Sequence, residues 1–265
     1  MIKVVVAGAR GRMGTAAIEA IRKSQDIEVV AILDYKYEGL FLQNGQVVEQ
    51  EEGIPIYTDL KTIADEKKPQ VLLDLTVPSV VYGHMEEAIS YGIRPVVGTS
   101  GLTAELIEQL NVEAKNKKVG GIIAPNFSIG AVLMMKFSQM AARYLDDIEI
   151  IELHHNQKVD APSGTAMKTA EMIDQVRGSK SQGHPHEKEL ITGARGADYN
   201  GMKLHSVRLP GLLAHQQVLL GGEGEVLTLR HDSFNRDSFM PGVLMAIREV
   251  MQQDELVYGL ENIID

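Results

Sequence analysis

The densest set of proton donors, bases and cations in the chain is the run Glu152-Leu-His154-His155-Asn-Gln-Lys158-Val-Asp160-Ala-Pro162-Ser163-Gly164-Thr165. Histidine titrates near neutral pH and can give or take a proton, while an ammonium such as that of Lys158 polarises or neutralises an anionic substrate. These residue types suit acid–base chemistry on a small anion. The aliphatic run over 148–155 predicts a strand in which His154 and His155 point to opposite faces, so only one of them need enter a given cleft straight from it. Ser163-Gly164-Thr165 precedes the helical spacing of Ala166, Ala170 and Ile173. Its amides and hydroxyls can take a carboxylate or serve as a plain N-cap.

A second constellation lies near the start, Gly8-Ala9-Arg10-Gly11-Arg12-Met13-Gly14. Glycines let such a turn approach a pyrophosphate, and the free amides and dipole of a following helix favour its negative charge. The spacing is a variant of the dinucleotide fingerprint. Asp34, twenty residues beyond Gly14, is placed to accept hydrogen bonds from adenosine ribose hydroxyls. Arg10, Arg12 and Lys36 could meet a 2′-phosphate, which Asp34 would repel, so the residues argue for NADH and for NADPH alike. Two further loops, Gly98-Thr99-Ser100-Gly101 and Ala124-Pro125-Asn126-Phe127, follow predicted strands, where ligands of open α/β sheets bind.

The elements that must hold these groups fall into two grammars. Residues 2–7 and 27–33 predict buried strands, joined by a helix with Met13, Ala17, Ala20 and Ile21 on one face, which makes a βαβ unit. Strands follow near 54–57, 71–75, 95–97 and 119–124. Between them, Val81, Met85, Ala88 and Ile89 mark one helix, and Thr103 N-caps another that runs to about Lys117. After Asn126 a helix over 128–144 leads into strands near 148–155, 203–208, 215–220 and 225–231, the pattern of a mixed α+β domain. Residues 179–201 predict a long exposed loop, and 239–251 a last helix.

Composition narrows the chemistry. In 265 residues, 36 Asp and Glu outweigh 26 Lys and Arg, so a general nucleic-acid-binding surface is not expected and any anion must be met locally. The absence of cysteine excludes disulfides, thiolate-bound metal and thiol catalysis, and fits a cytoplasmic protein. The chain carries no apolar run long enough to span a membrane. It has no H-E-x-x-H or G-x-S-x-G motif, and His184-Pro-His186 lacks carboxylates at ligand spacing, so neither a metal nor a serine nucleophile is expected.

On these residues the chain resembles the 4-hydroxy-tetrahydrodipicolinate (dihydrodipicolinate) reductases of lysine and diaminopimelate biosynthesis. The resemblance runs through Val6 to Gly14, Gly98 to Gly101, Ala124 to Gly130 and, most specifically, His154 to Thr165. It implies an α/β chain with an N-terminal Rossmann-type parallel sheet domain, 1–127 and 236–265, and a C-terminal α+β substrate and tetramerisation domain with a mixed sheet, 128–235. Further, it implies a homotetramer acting on a small cyclic dicarboxylate with NADH or NADPH. Residue by residue, it implies that Gly8, Ala9, Arg10, Gly11, Arg12, Met13, Asp34, Gly98, Thr99, Ser100, Ala124, Pro125, Asn126 and Phe127 contact the cofactor. It also implies His154 as catalytic acid/base, Lys158 as proton donor, and His155, Gly164 and Thr165 as substrate contacts. Tyr35 stands where many relatives place an Arg after the ribose-binding acid. Ala214-His215-Gln216 replaces the commoner Gly-Glu-His and leaves the role of His215 open.

Overall fold

A computed structural model describes every residue except Ser100, Ser179 and Asp265. The chain divides into two compact units, Met1–Phe127 with Phe239–Asp265, and Ser128–Ser238. In the first, β1 (Ile2–Ala7), α1 (Arg12–Arg22) and β2 (Ile27–Leu33) form the expected βαβ unit, with β1 and β2 parallel. Val4, Val5, Val6 and Ala7 are completely buried, as a strand covered on both faces requires. Helix α1 turns Gly14, Ala17, Ile18 and Ile21 inward.

Residues 41–48 depart from the expectation. β3 (Phe41–Gln43) and β4 (Gln46–Val48) make an antiparallel hairpin ahead of β5 (Ile54–Tyr57). Its turn is Asn44-Gly45, both at positive φ, a pair whose backbone twist matches that of the flanking strands. The fold continues through α2 (Leu60–Lys67), β6 (Val71–Asp74), α3 (Pro78–Ser90), β7 (Arg94–Val97), α4 (Ala104–Lys117) and β8 (Gly121–Ile123). Thr103 caps α4, its hydroxyl accepting from Leu106 N at 3.4 Å.

The second unit opens with α5 (Ile129–Ala141), β9 (Asp147–His154) and α6 (Gly164–Arg177), followed by β10 (Ala197–Tyr199), β11 (Met202–Arg208), β12 (Ala214–Gly222) and β13 (Glu225–Ser233). The five strands form one mixed sheet in the order β10-β11-β9-β12-β13, with only β11 and β9 parallel. Strand β10 lies inside the segment read as loop. It pairs with β11 through a second Asn-Gly turn, Asn200-Gly201, whose residues again have positive φ. Ile148, Ile150, Val218 and Leu220 from the sheet meet Ala166, Ala170 and Ile173 of α6 in the core.

The chain then returns to the first unit as α7 (Met240–Glu249) and β14 (Leu256–Tyr258), which pairs parallel to β8. The completed nine-stranded sheet runs β14-β8-β7-β6-β1-β2-β5-β3-β4. Strand order leaves β1 in opposite directions toward β6 and toward β2, so the crevice at the carboxyl end of β1 lies at the switch point where open α/β sheets take ligands. Among the described residues no helix is long and apolar enough to cross a membrane.

Candidate active site

In the first unit the turn after β1 is shaped by what its glycines exclude. Gly8 has φ +80°, and a Cβ there would lie 2.6 Å from Leu75 O; at Gly14 it would lie 2.3 Å from Gly8 O. A side chain at either point would drive apart the strand end and the helix that follows. No side chain caps α1, so the amides of its first turn are left for an anion. Gly8, Arg10, Gly11, Asp34, Tyr35 and His84 border a cleft of about 610 Å³ at this point. A tight glycine turn and an uncapped helix start supply donors, and a carboxylate at the end of β2 an acceptor, in an arrangement that fits a dinucleotide.

Asp34 is not bare. Arg10 donates to both of its oxygens, Nε to Oδ2 at 2.7 Å and Nη2 to Oδ1 at 3.1 Å. The guanidinium also lies over the Tyr37 ring at 4.9 Å and the Tyr35 ring at 5.9 Å. The bond to Asp34 raises the Arg10 pKa further, so its charge is permanent. Lys36 sits over Tyr35 at 5.0 Å.

The other expected cofactor contacts divide. Ala9 is fully buried behind the turn and takes Thr15 Oγ1 on its carbonyl, whereas Arg12 and Met13 open α1. Gly98, Thr99 and the 124–127 loop follow β7 and β8, on the β6 side of β1, and do not line the cleft. Phe127 is buried and packs where a Gly98 side chain would be. Ser100 lies outside the described residues. Sequence reasoning missed His84. Its Nδ1 lies 2.7 Å from the wholly buried Asp74, which also accepts from Thr76 N and Oγ1. Nothing in the spacing of α3 marks that histidine.

In the second unit, strand alternation places Glu152 and His154 on the face that carries the buried Ile148 and Ile150. Strand β9 ends at His154, so His155 falls beyond it and the expected division of the two rings between sheet faces does not apply. His154 Nδ1 lies 2.5 Å from Glu152 Oε2. Arg208, the register partner of His154 on β11, donates Nη1 to Oε2 at 2.8 Å and Nη2 to Oε1 at 2.7 Å. Burial by itself would raise the Glu152 carboxyl, but the bonds from His154 and Arg208 outweigh it and hold the pKa at about 2.

Oε1 of Glu152 also accepts from Ser163 N at 3.2 Å, immediately before α6. Ser163 is the N-cap of that helix, its Oγ accepting from Ala166 N, and Gly164 and Thr165 are its first residues. Lys158 Nζ grips both Asp160 oxygens at 2.7 and 2.8 Å, and Arg208 Nη2 holds the Asp160 carbonyl. One bonded network therefore joins His154, Lys158 and the start of α6. Glu152 and Arg208 were not read from the sequence as site residues, although Glu152 stands two places before His154 in a predicted strand, a spacing that puts both on one face. His215 has both nitrogens engaged within its own sheet, Nδ1 with Asp232 at 2.7 Å and Nε2 accepting from Leu213 N at 3.3 Å.

Comparison with known proteins covers both units. Residues 2–127 match the family model for the N-terminus of dihydrodipicolinate reductase, and residues 130–264 the model for its C-terminus. The chain is 56% identical to 4-hydroxy-tetrahydrodipicolinate reductase of Bacillus pumilus, covering 100% of this chain and 98% of that one. It is 55% identical to the enzyme of the same name from Lysinibacillus sphaericus, over 99% of both chains. A solved structure, dipicolinate-bound dihydrodipicolinate reductase from Paenisporosarcina sp. TG-14, superposes with a TM-score of 0.91 at 52% identity over the full length of both chains.

Proposed function

Because the chain belongs to the dihydrodipicolinate reductase family, we propose that it reduces 4-hydroxy-tetrahydrodipicolinate to tetrahydrodipicolinate in lysine and diaminopimelate biosynthesis, with NADH or NADPH. One hydride and one proton enter, and the substrate hydroxyl leaves as water. The bound cofactor supplies the hydride.

The chain's own residues supply the rest. Gly8, Gly11 and Met13 present backbone to the pyrophosphate, with the buried Ala9 backing the turn, Arg10 and Arg12 beside it and Asp34 at the ribose. Gly98, Thr99, Ala124, Pro125, Asn126 and Phe127 complete the cofactor contacts on neighbouring strand ends, and the family resemblance assigns Ser100 with them. The amides of Gly164 and Thr165 hold a substrate carboxylate, and His155 makes a further substrate contact. With Nδ1 committed to Glu152, His154 offers Nε2 to quench the electron density that reduction leaves on the conjugated ring nitrogen. Lys158 is a proton donor to the same site and resupplies the single proton that His154 delivers, so net uptake remains one proton. Its ammonium must share or leave Asp160 when substrate binds.

The observation that carries this reading is the bond from His154 to a buried carboxylate that also fastens the start of α6. Assembly into a homotetramer in the cytoplasm belongs to the same reading. The exposed Phe137 and Met140 of α5, with Tyr144 in the turn that follows it, support it as apolar surface for a second copy. The test couples the purified protein to a synthase that makes the substrate from pyruvate and aspartate semialdehyde, and follows NADH and NADPH absorbance. Substrate-dependent oxidation of either is expected; cofactor binding without turnover would overturn the proposal.

A further inference from the structure

Glu152 is the least exposed ionisable group in the second unit's network, at 1%. A carboxylate is costly in such a place unless every lone pair is met by a donor. Its donors include His154 Nδ1, two Arg208 nitrogens and Ser163 N, and the Ser206 hydroxyl on β11 adds a further bond. A structural ion pair would need only β11, which carries Arg208 and Ser206. His154 and Ser163 N belong to the proposed acid and to the helix start proposed for the substrate carboxylate.

We propose that Glu152 is a positioning residue that fixes His154 as its Nδ1–H tautomer and sets that ring in register with the N-terminus of α6. This rests on the assignment of His154 as the acid given above. An ionised carboxylate can only accept, so the shared proton must reside on Nδ1, and Nε2 becomes the nitrogen that exchanges a proton with substrate. Arg208 keeps the carboxylate charged and turned. Through the Asp160 carbonyl it also places the loop that carries Lys158. A neutral amide cannot replace this carboxylate. In Glu152→Gln an NH₂ group must face one Arg208 nitrogen in either orientation, donor against donor. If that NH₂ takes the place of Oε2, it donates to Nδ1 and moves the ring proton to Nε2.

The experiment compares wild type, Glu152→Gln and Glu152→Asp, labelled with ¹⁵N-histidine and without substrate, the His154 signals being assigned from His154→Gln. In wild type at alkaline pH the spectrum should show a proton on Nδ1 and a bare Nε2. In Glu152→Gln the pattern should become mixed or reversed, with kcat lowered roughly 10–100-fold and cofactor Kd unchanged. Glu152→Asp, which keeps the charge, should retain the wild-type pattern and recover part of the lost kcat. A wild-type spectrum with the proton on Nε2 overturns the proposal without any variant, as does a Glu152→Gln enzyme with unchanged tautomer and kcat. Undiminished turnover in His154→Gln would instead remove the acid assignment, leaving the spectra to decide the tautomer separately.

Discussion

Arg10 and Asp34 form a two-point ion pair at the cleft, with the guanidinium spread across both carboxylate oxygens. The acid proposed to read the ribose and a cation suited to a 2′-phosphate thus engage each other. On that proposal, NADH would call on Asp34 and NADPH on Arg10, opposite partners of one pair.

Asp34→Ala removes the acceptor for the ribose hydroxyls and leaves Arg10 unpaired. The dissociation constant for NADH should rise roughly tenfold or more, from loss of a charge-assisted hydrogen bond. NADPH should weaken much less. Calorimetric titration with both cofactors checks this, and equal losses would show that Asp34 does not read the ribose.

Arg10→Met should have the opposite effect. Asp34 is then unopposed and NADPH should lose roughly tenfold or more in affinity, because a permanent cation is replaced by an apolar side chain. NADH should change severalfold at most. A loss confined to NADH, in the same titration, would put Arg10 on the ribose hydroxyls instead.

His154→Ala should lower kcat by roughly 10²-fold or more, as loss of a general acid does, with cofactor affinity unchanged. Steady-state kinetics with saturating cofactor measure the first quantity and direct titration the second. Unaltered turnover would take His154 out of the chemistry.

The Glu152 carboxyl is held at about 2 in the folded protein against an ordinary value of 4.5. A depressed carboxyl stabilises the fold fully above its unfolded pKa, and that contribution is lost as pH falls through the folded one. The difference in urea midpoint between wild type and Glu152→Gln should therefore be greatest near pH 7 and shrink from about pH 4.5 toward about pH 2. A constant difference across that range would mean that the charge of Glu152 adds nothing to stability.

Much of the first unit could be read from apolar periodicity, because strands buried on both faces and helices with one inward stripe leave long, regular signals. Thr103 at the start of α4 and the Val81–Ile89 stripe of α3 are examples. The two hairpins were missed because β3, β4 and β10 are each only three residues long, although Asn44-Gly45 and Asn200-Gly201 carry a local turn signal. The signature from His154 to Thr165 pointed to the chemistry. Its supports came from distant places: Arg208 reaches Glu152 only because β11 and β9 lie parallel in one sheet, a long-range pairing that local spacing does not encode. The Asp74–His84 contact likewise depends on where β6 ends beneath α3.

The return of β14 to β8 has a consequence for biogenesis. The unpaired flank of β8 must wait while more than a hundred further amino acids are polymerised before its neighbour exists. During that interval a ribosome-bound nascent chain presents a bare sheet margin open to mispairing. Shearing off the final ten residues by limited proteolysis should recreate that margin in the mature protein and promote self-association through it.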